Sequence, residues 1–120
     1  MKIAEIAEET GLTISTIRYY EKSGLCPPIA RGADGNRRFS AGDLDWLRLL
    51  SSLRETGMPN AEMKAFAALY RQGEKTIPER KNALLKHRDR LFESQAALDR
   101  CRAILDRKLT RYDEIIEDRS

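Results

Sequence analysis

The sequence is poorest in the residues that most often carry chemistry. Its 120 positions hold one histidine, two cysteines and one tryptophan. No serine-histidine-aspartate set stands out, and the one histidine, His87, falls on the expected long final helix. No phosphate-cradling glycine loop or pair of catalytic carboxylates stands out either, so an enzyme is not expected. The thiols Cys26 and Cys101 lie far apart along the chain with His87 the only other soft ligand, so neither a metal site nor a cofactor is expected. No run of about 18 apolar residues occurs, and the start lacks the apolar core of a signal peptide. The expectation is a cytoplasmic protein that spans no membrane and keeps its thiols reduced.

What is present is charge and helical rhythm. The length suits one small domain with an appendage, and 41% hydrophobic with 34% charged residues allow a core under a well-solvated surface. The net charge is +3. Between Thr13 and Phe39 the cations Arg18, Lys22, Arg31, Arg37 and Arg38 face only Glu21 and Asp34, so this stretch carries the whole excess.

Apolar Ile3, Ile6 and Ala7 share a helical face that Thr10-Gly11-Leu12 interrupts. Thr13 can cap a second helix through Lys22, with Ile14 and Ile17 inward and Ser15, Thr16, Arg18 and Tyr19 on other faces. After Gly24, prolines and glycines lead to Asn36-Arg37-Arg38-Phe39, and Asp34-Gly35 predicts a hairpin of two short strands with a basic tip. Ser40 with Asp43 forms a capping box before a leucine-rich third helix that includes Trp46, expected in the core, and Asn60 can cap a fourth. From a second capping box, Thr76 to Glu79, the residues Ile77, Leu84, Leu91, Leu98, Leu105 and Tyr112 recur at an interval of seven. One helix of about 40 residues, on the order of 60 Å long, is too long to bury its stripe on so small a head. A partner chain is therefore expected.

These elements give an all-α fold with a small β wing, a winged helix-turn-helix head followed by a long dimerising coiled-coil helix. The head is expected over residues 1–71, a linker over 72–76 and the dimerisation helix over 77–118. A helix fits the DNA major groove, where Thr13, Ser15, Thr16 and Arg18 could bond base edges or backbone oxygens, while Arg37 and Arg38 could reach phosphates from the wing.

The runs Ile3-Ala4-Glu5-Ile6-Ala7, Thr10-Gly11-Leu12, Thr16-Ile17-Arg18-Tyr19-Tyr20-Glu21, Gly24-Leu25 with Pro27-Pro28, and Asn36-Arg37-Arg38-Phe39-Ser40 resemble the MerR family of bacterial transcription regulators. The resemblance covers the whole head in order, and the long final helix resembles the family's antiparallel dimerisation helix. It implies a homodimer that binds an inverted repeat in double-stranded promoter-spacer DNA and distorts it for RNA polymerase. It also implies that Tyr19 and Tyr20 support or touch the DNA backbone, although the helical phase of Tyr20 suits a core position equally. An architectural or interaction protein, whose coil recruits another protein, is the competing reading.

Beyond Trp46 the chain looks most like the aldehyde- or electrophile-responsive branch, on Gly57-Met58, Thr76-Ile77, Glu79-Arg80 and His87-Arg88. Ser52 stands where that branch usually carries a cysteine, so its chemistry does not transfer. Cys26 and Cys101 are the remaining candidates for a thiol sensor. At its heptad position Cys101 reads first as a buried structural thiol, and His87 at the same phase is expected to set register.

Overall fold

The computed structural model describes residues 1–119, which divide into two compact units, Met1–Leu84 and the chain from Leu85 onward. In the first unit α1 (Ile3–Thr10) is followed by α2 (Ile14–Lys22), α3 (Ala41–Glu55) and α4 (Asn60–Arg71), then a 3-10 turn (Glu74–Thr76). From there α5 runs without a break from Ile77 to Asp118.

Local chemistry sets the helix ends. α1 stops where Gly11 takes a left-handed φ of 72°, its N–H reaching the Ala7 carbonyl. The Thr13 hydroxyl then accepts the Thr16 N–H at 3.1 Å and opens α2. Ser40 and Asp43 form the expected capping box, each side chain accepting the other's backbone N–H, at 3.0 and 2.8 Å. Two other ends differ from the sequence reading. Asn60 is the first residue of α4 rather than its cap, and the extended Pro59 supplies the capping backbone. Thr76 is buried and does not open a capping box. Its hydroxyl reaches the Leu69 carbonyl at 2.6 Å and accepts from Arg80 at 3.0 Å, binding the start of α5 to the end of α4.

One core gathers the inward faces of all four short helices. Ile6, Ile17, Leu25, Leu47 and Leu50 are buried, with Met63 and Phe66 arriving from α4. Trp46 lies in this core as expected, stacked between Phe66 and Tyr70 at centroid distances of 5.4 and 4.1 Å. Its Nε1 donates to the Leu25 carbonyl at 2.8 Å, so α3 holds the segment that leaves α2.

The wing is slighter than two strands. A single antiparallel bridge joins Arg31 to Arg37, flanked by backbone bonds from Arg38 to Ala30 and from Gly32 to Asn36. Asp34-Gly35 does not form the centre of a two-residue turn, because no non-glycine residue among those described has a positive φ. Ala33 and Asp34 are the central residues instead, the Gly35 N–H closes on the Gly32 carbonyl, and Gly35 takes the left-handed position at φ 81°. Met1 ties down the far arm by exchanging two 2.8 Å bonds with Phe39.

Along α5 most of the sevenfold stripe is wet. Ile77, Leu91, Leu98, Leu105 and Tyr112 are each between 39% and 61% exposed. Ile104, Leu109 and Ile116 widen the stripe in the last third of the helix. His87 is buried, whereas Cys101 at the same heptad phase is exposed.

Candidate nucleic-acid interface

Helix α2 is short and two-faced. Ile17 and Tyr20 point into the core, while Ser15, Arg18 and Tyr19 are exposed and Thr16 half-buried. The Thr13 hydroxyl is committed to its own helix, accepting the Thr16 N–H and donating to the Thr16 Oγ1 at 2.9 Å. The capping that makes α2 start there thus occupies the side chain that the sequence placed among the DNA contacts.

Tyr20 resolves toward the core, 2% exposed, and only its hydroxyl reaches a polar partner, Nη1 of Arg54 at 3.3 Å. That bond pushes the Arg54 guanidinium still further toward the charged form. Its neighbour Tyr19 is half exposed, with the two rings 6.2 Å apart. On this flank Ser15, Thr16 and Tyr19 meet Arg54 and Asn60 around an open cleft of about 610 Å³. Neither Arg54 nor Asn60 was legible as a site residue, because both lie beyond the motif, in the last turn of α3 and at the first residue of α4.

On the opposite flank the wing arginines are more engaged than a solvated loop would be. Nε of Arg37 donates to both carboxylate oxygens of Glu21, at 3.2 and 3.0 Å, joining the wing to α2. Arg38 pairs with Asp34 at 3.1 Å near the tip. The Asp34 carboxyl lies below its usual range, chiefly because it accepts the Asn36 backbone N–H, with Arg38 adding to the effect.

The two thiols differ sharply. Cys26 is buried in the core, and burial, reinforced by Asp43 and Glu21, pushes its pKa up to about 12. Since the thiolate is the nucleophile, this geometry argues against Cys26 as a sensor. Cys101 is exposed on α5. Ser52 is exposed on α3 and carries no thiol. Among the described residues no group of three or more potential ligands could hold a metal, and no helix is long and apolar enough to cross a membrane.

The chain matches two family models, the MerR HTH family regulatory protein over residues 1–69 and the MerR DNA-binding model over residues 44–108. It is 37% identical over 93 residues to the HTH-type transcriptional regulator AdhR of Bacillus subtilis, covering 78% of this chain and 66% of that protein. It thus spans just under two thirds of that relative's length. An HTH-type transcriptional regulator of Haemophilus influenzae is 39% identical over 114 residues, covering 95% of this chain and 76% of that one. Among solved structures, HiNmlR, a MerR family regulator lacking the sensor domain and bound to promoter DNA, superposes with a TM-score of 0.84 at 37% identity, covering 94% of this chain and 90% of that one.

Proposed function

The chain belongs to the MerR family of helix-turn-helix regulatory proteins, and on that premise we propose that it is a sequence-specific transcription regulator acting on double-stranded DNA as a homodimer. The observation that carries this reading is α2, whose buried Ile17 and Tyr20 anchor it in the head while Ser15, Arg18 and Tyr19 stand in solvent beside a basic wing. An α-helix of this kind fills a major groove, and flanking cations reach the phosphates.

Residues 1–71 form the DNA-binding domain in this reading, residues 72–76 the linker and residues 77–118 the dimerisation helix. Ser15, Thr16, Arg18 and Tyr19 face the DNA directly, and Arg37 and Arg38 approach from the wing. Thr13 and Tyr20 contribute by shaping and seating α2. The wet stripe of α5 supports pairing, since a run of exposed leucines on a single helix gains most by burial against a like surface. Two copies related by a twofold axis read an inverted repeat. The family's mode of action, distortion of a promoter spacer to the benefit of RNA polymerase, and a cytoplasmic setting belong to the same reading. No catalytic role is assigned, as the relatives are transcriptional regulators.

The test is selection of duplexes from a random library by the purified chain, followed by footprinting. The expected outcome is a twofold-symmetric site bound about a thousandfold more tightly than random DNA. A monomer at working concentration, or equal affinity for every duplex, overturns the proposal. A helical tail that captures another protein while the head ignores DNA sequence would favour the interaction-protein reading.

A further inference from the structure

Between α4 and α5 the chain turns through a short, tightly bonded joint. The 3-10 turn Glu74–Thr76 leads straight into Ile77, the first residue of α5. Arg80, one turn into α5, grips this joint twice, its Nε donating to the Thr76 hydroxyl and its Nη2 to the Gly73 carbonyl, each at 3.0 Å. Thr76 is 2% exposed, and its hydroxyl is also bonded to the Leu69 carbonyl of α4 at 2.6 Å. Bonds shielded from water in this way are strong, and a guanidinium held at two nitrogens has a fixed orientation.

The grip continues into the head. The Arg80 guanidinium carbon lies 5.3 Å from the centre of the Tyr70 ring, Tyr70 stacks on Trp46 at 4.1 Å, and Trp46 Nε1 donates to the Leu25 carbonyl just past the end of α2. A second tie runs beside the first, since Nη1 of Arg71, the last residue of α4, donates to the Gly24 carbonyl. Two consecutive carbonyls at the exit of α2 are thus tied, directly or through the Trp46–Tyr70 stack, to the end of α4 that Arg80 fastens to α5. All of these residues lie in the first compact unit, Met1–Leu84, and α5 runs on from it unbroken to Asp118.

We propose that Arg80 is a specificity-determining residue for the geometry of the DNA site: it locks the root of α5 to the head, so that the paired α2 helices accept one half-site spacing and reject its neighbours. The inference rests on the chain pairing through α5 and reading a twofold site, as proposed above. In such a dimer each α2 is carried by its own α4–α5 joint, so play at the joint becomes play between the two reading helices. One base pair added at the dyad turns the half-sites by about 35° and parts them by about 3.4 Å. A stiff joint passes that misfit to the duplex, which must twist at a cost in energy, whereas a loose joint absorbs it. Arg80 therefore acts through the joint and touches no base.

The test uses the full chain with a twofold duplex that it selects from a random library. Beside it are versions with one base pair added or removed at the dyad, and a half-site duplex with one arm scrambled. The native chain should lose about tenfold in affinity at either changed spacing. Arg80→Met keeps an apolar stem beside Tyr70 and removes every donor, and it should cut that loss to about threefold or less. Thr76→Val, which withdraws the hydroxyl that Arg80 grips, should do the same, and the double variant should go no further than either single one. Arg80→Met should bind the half-site duplex as the native chain does and keep its helical circular dichroism and dimer mass. A residue that merely braces the head would instead weaken every duplex by one factor. That uniform loss, a collapsed head in Arg80→Met, a native spacing preference in Arg80→Met, or a native chain indifferent to spacing overturns the assignment and leaves the regulator reading intact. Failure of the native chain to enrich any twofold duplex overturns both.

Discussion

Phenylalanine in place of Trp46 removes one hydrogen-bond donor from the head and leaves an aromatic ring where it was. Trp46 is 6% exposed, and its Nε1 reaches the Leu25 carbonyl at 2.8 Å, with Leu25 fully buried. In the variant that carbonyl is stranded away from water, at a cost of about 1 to 3 kcal/mol. The smaller ring also gives up part of its stacking on Phe66 and Tyr70, where a whole aromatic pair contributes about 0.5 to 1.5 kcal/mol. The expected loss is about 2 to 4 kcal/mol against a typical domain stability of about 5 to 15 kcal/mol. Because Leu25 lies in the segment between α2 and the wing, DNA binding should weaken as well. Thermal unfolding by circular dichroism at a fixed chain concentration reads the effect, since association makes the midpoint depend on concentration. Tryptophan fluorescence cannot follow it, as Trp46 is the sole tryptophan. A stability change under about 0.5 kcal/mol would refute the assignment of this bond as the tie between α3 and the wing segment.

Other substitutions probe the remaining links. Leu98→Glu places a charge in the exposed stripe of α5 and should convert the dimer to monomer in sedimentation, with specific DNA binding lost; an unchanged mass would break the pairing argument. Thr13→Ala removes the α2 cap and should cost about 0.5 to 2 kcal/mol of stability in urea unfolding. Iodoacetamide at pH 8 should spare the buried Cys26 until denaturant is added, which mass spectrometry reads directly. Because folding raises the Cys26 pKa from 9.0 to about 12, its contribution is fully present below pH 9 and is lost as pH climbs toward 12. Cys26→Ala should therefore flatten alkaline unfolding across that window.

The order of helices was legible because each carries its own punctuation, such as Gly11, the Ser40–Asp43 box and the leucines of α3 and α5. The outward residues of α2 followed from helical phase, since Ile17 must face in and Ser15, Arg18 and Tyr19 then face out. Phase alone left Tyr20 open, and burial by neighbouring helices decided it. The turn chemistry of the wing was misjudged because Gly35 answers equally to the centre of a tight turn and to the left-handed position after it. Thr76 was misread because its hydroxyl is drawn to a carbonyl seven residues earlier, a tertiary bond that no local motif encodes. Arg54 was missed for a related reason, as it lies in no basic run and only folding carries it to an edge of α2.

The wet leucines of α5 bear on how such a regulator responds to its own abundance. If the exposed rail is covered by a twin, as proposed, the population of pairs below the association midpoint grows with the square of the amount synthesised. Small changes in expression then become larger changes in promoter occupancy, and an unpaired newcomer offers proteases a greasy, poorly braced helix. Turnover and gene dosage would thus act as inputs alongside any chemical signal.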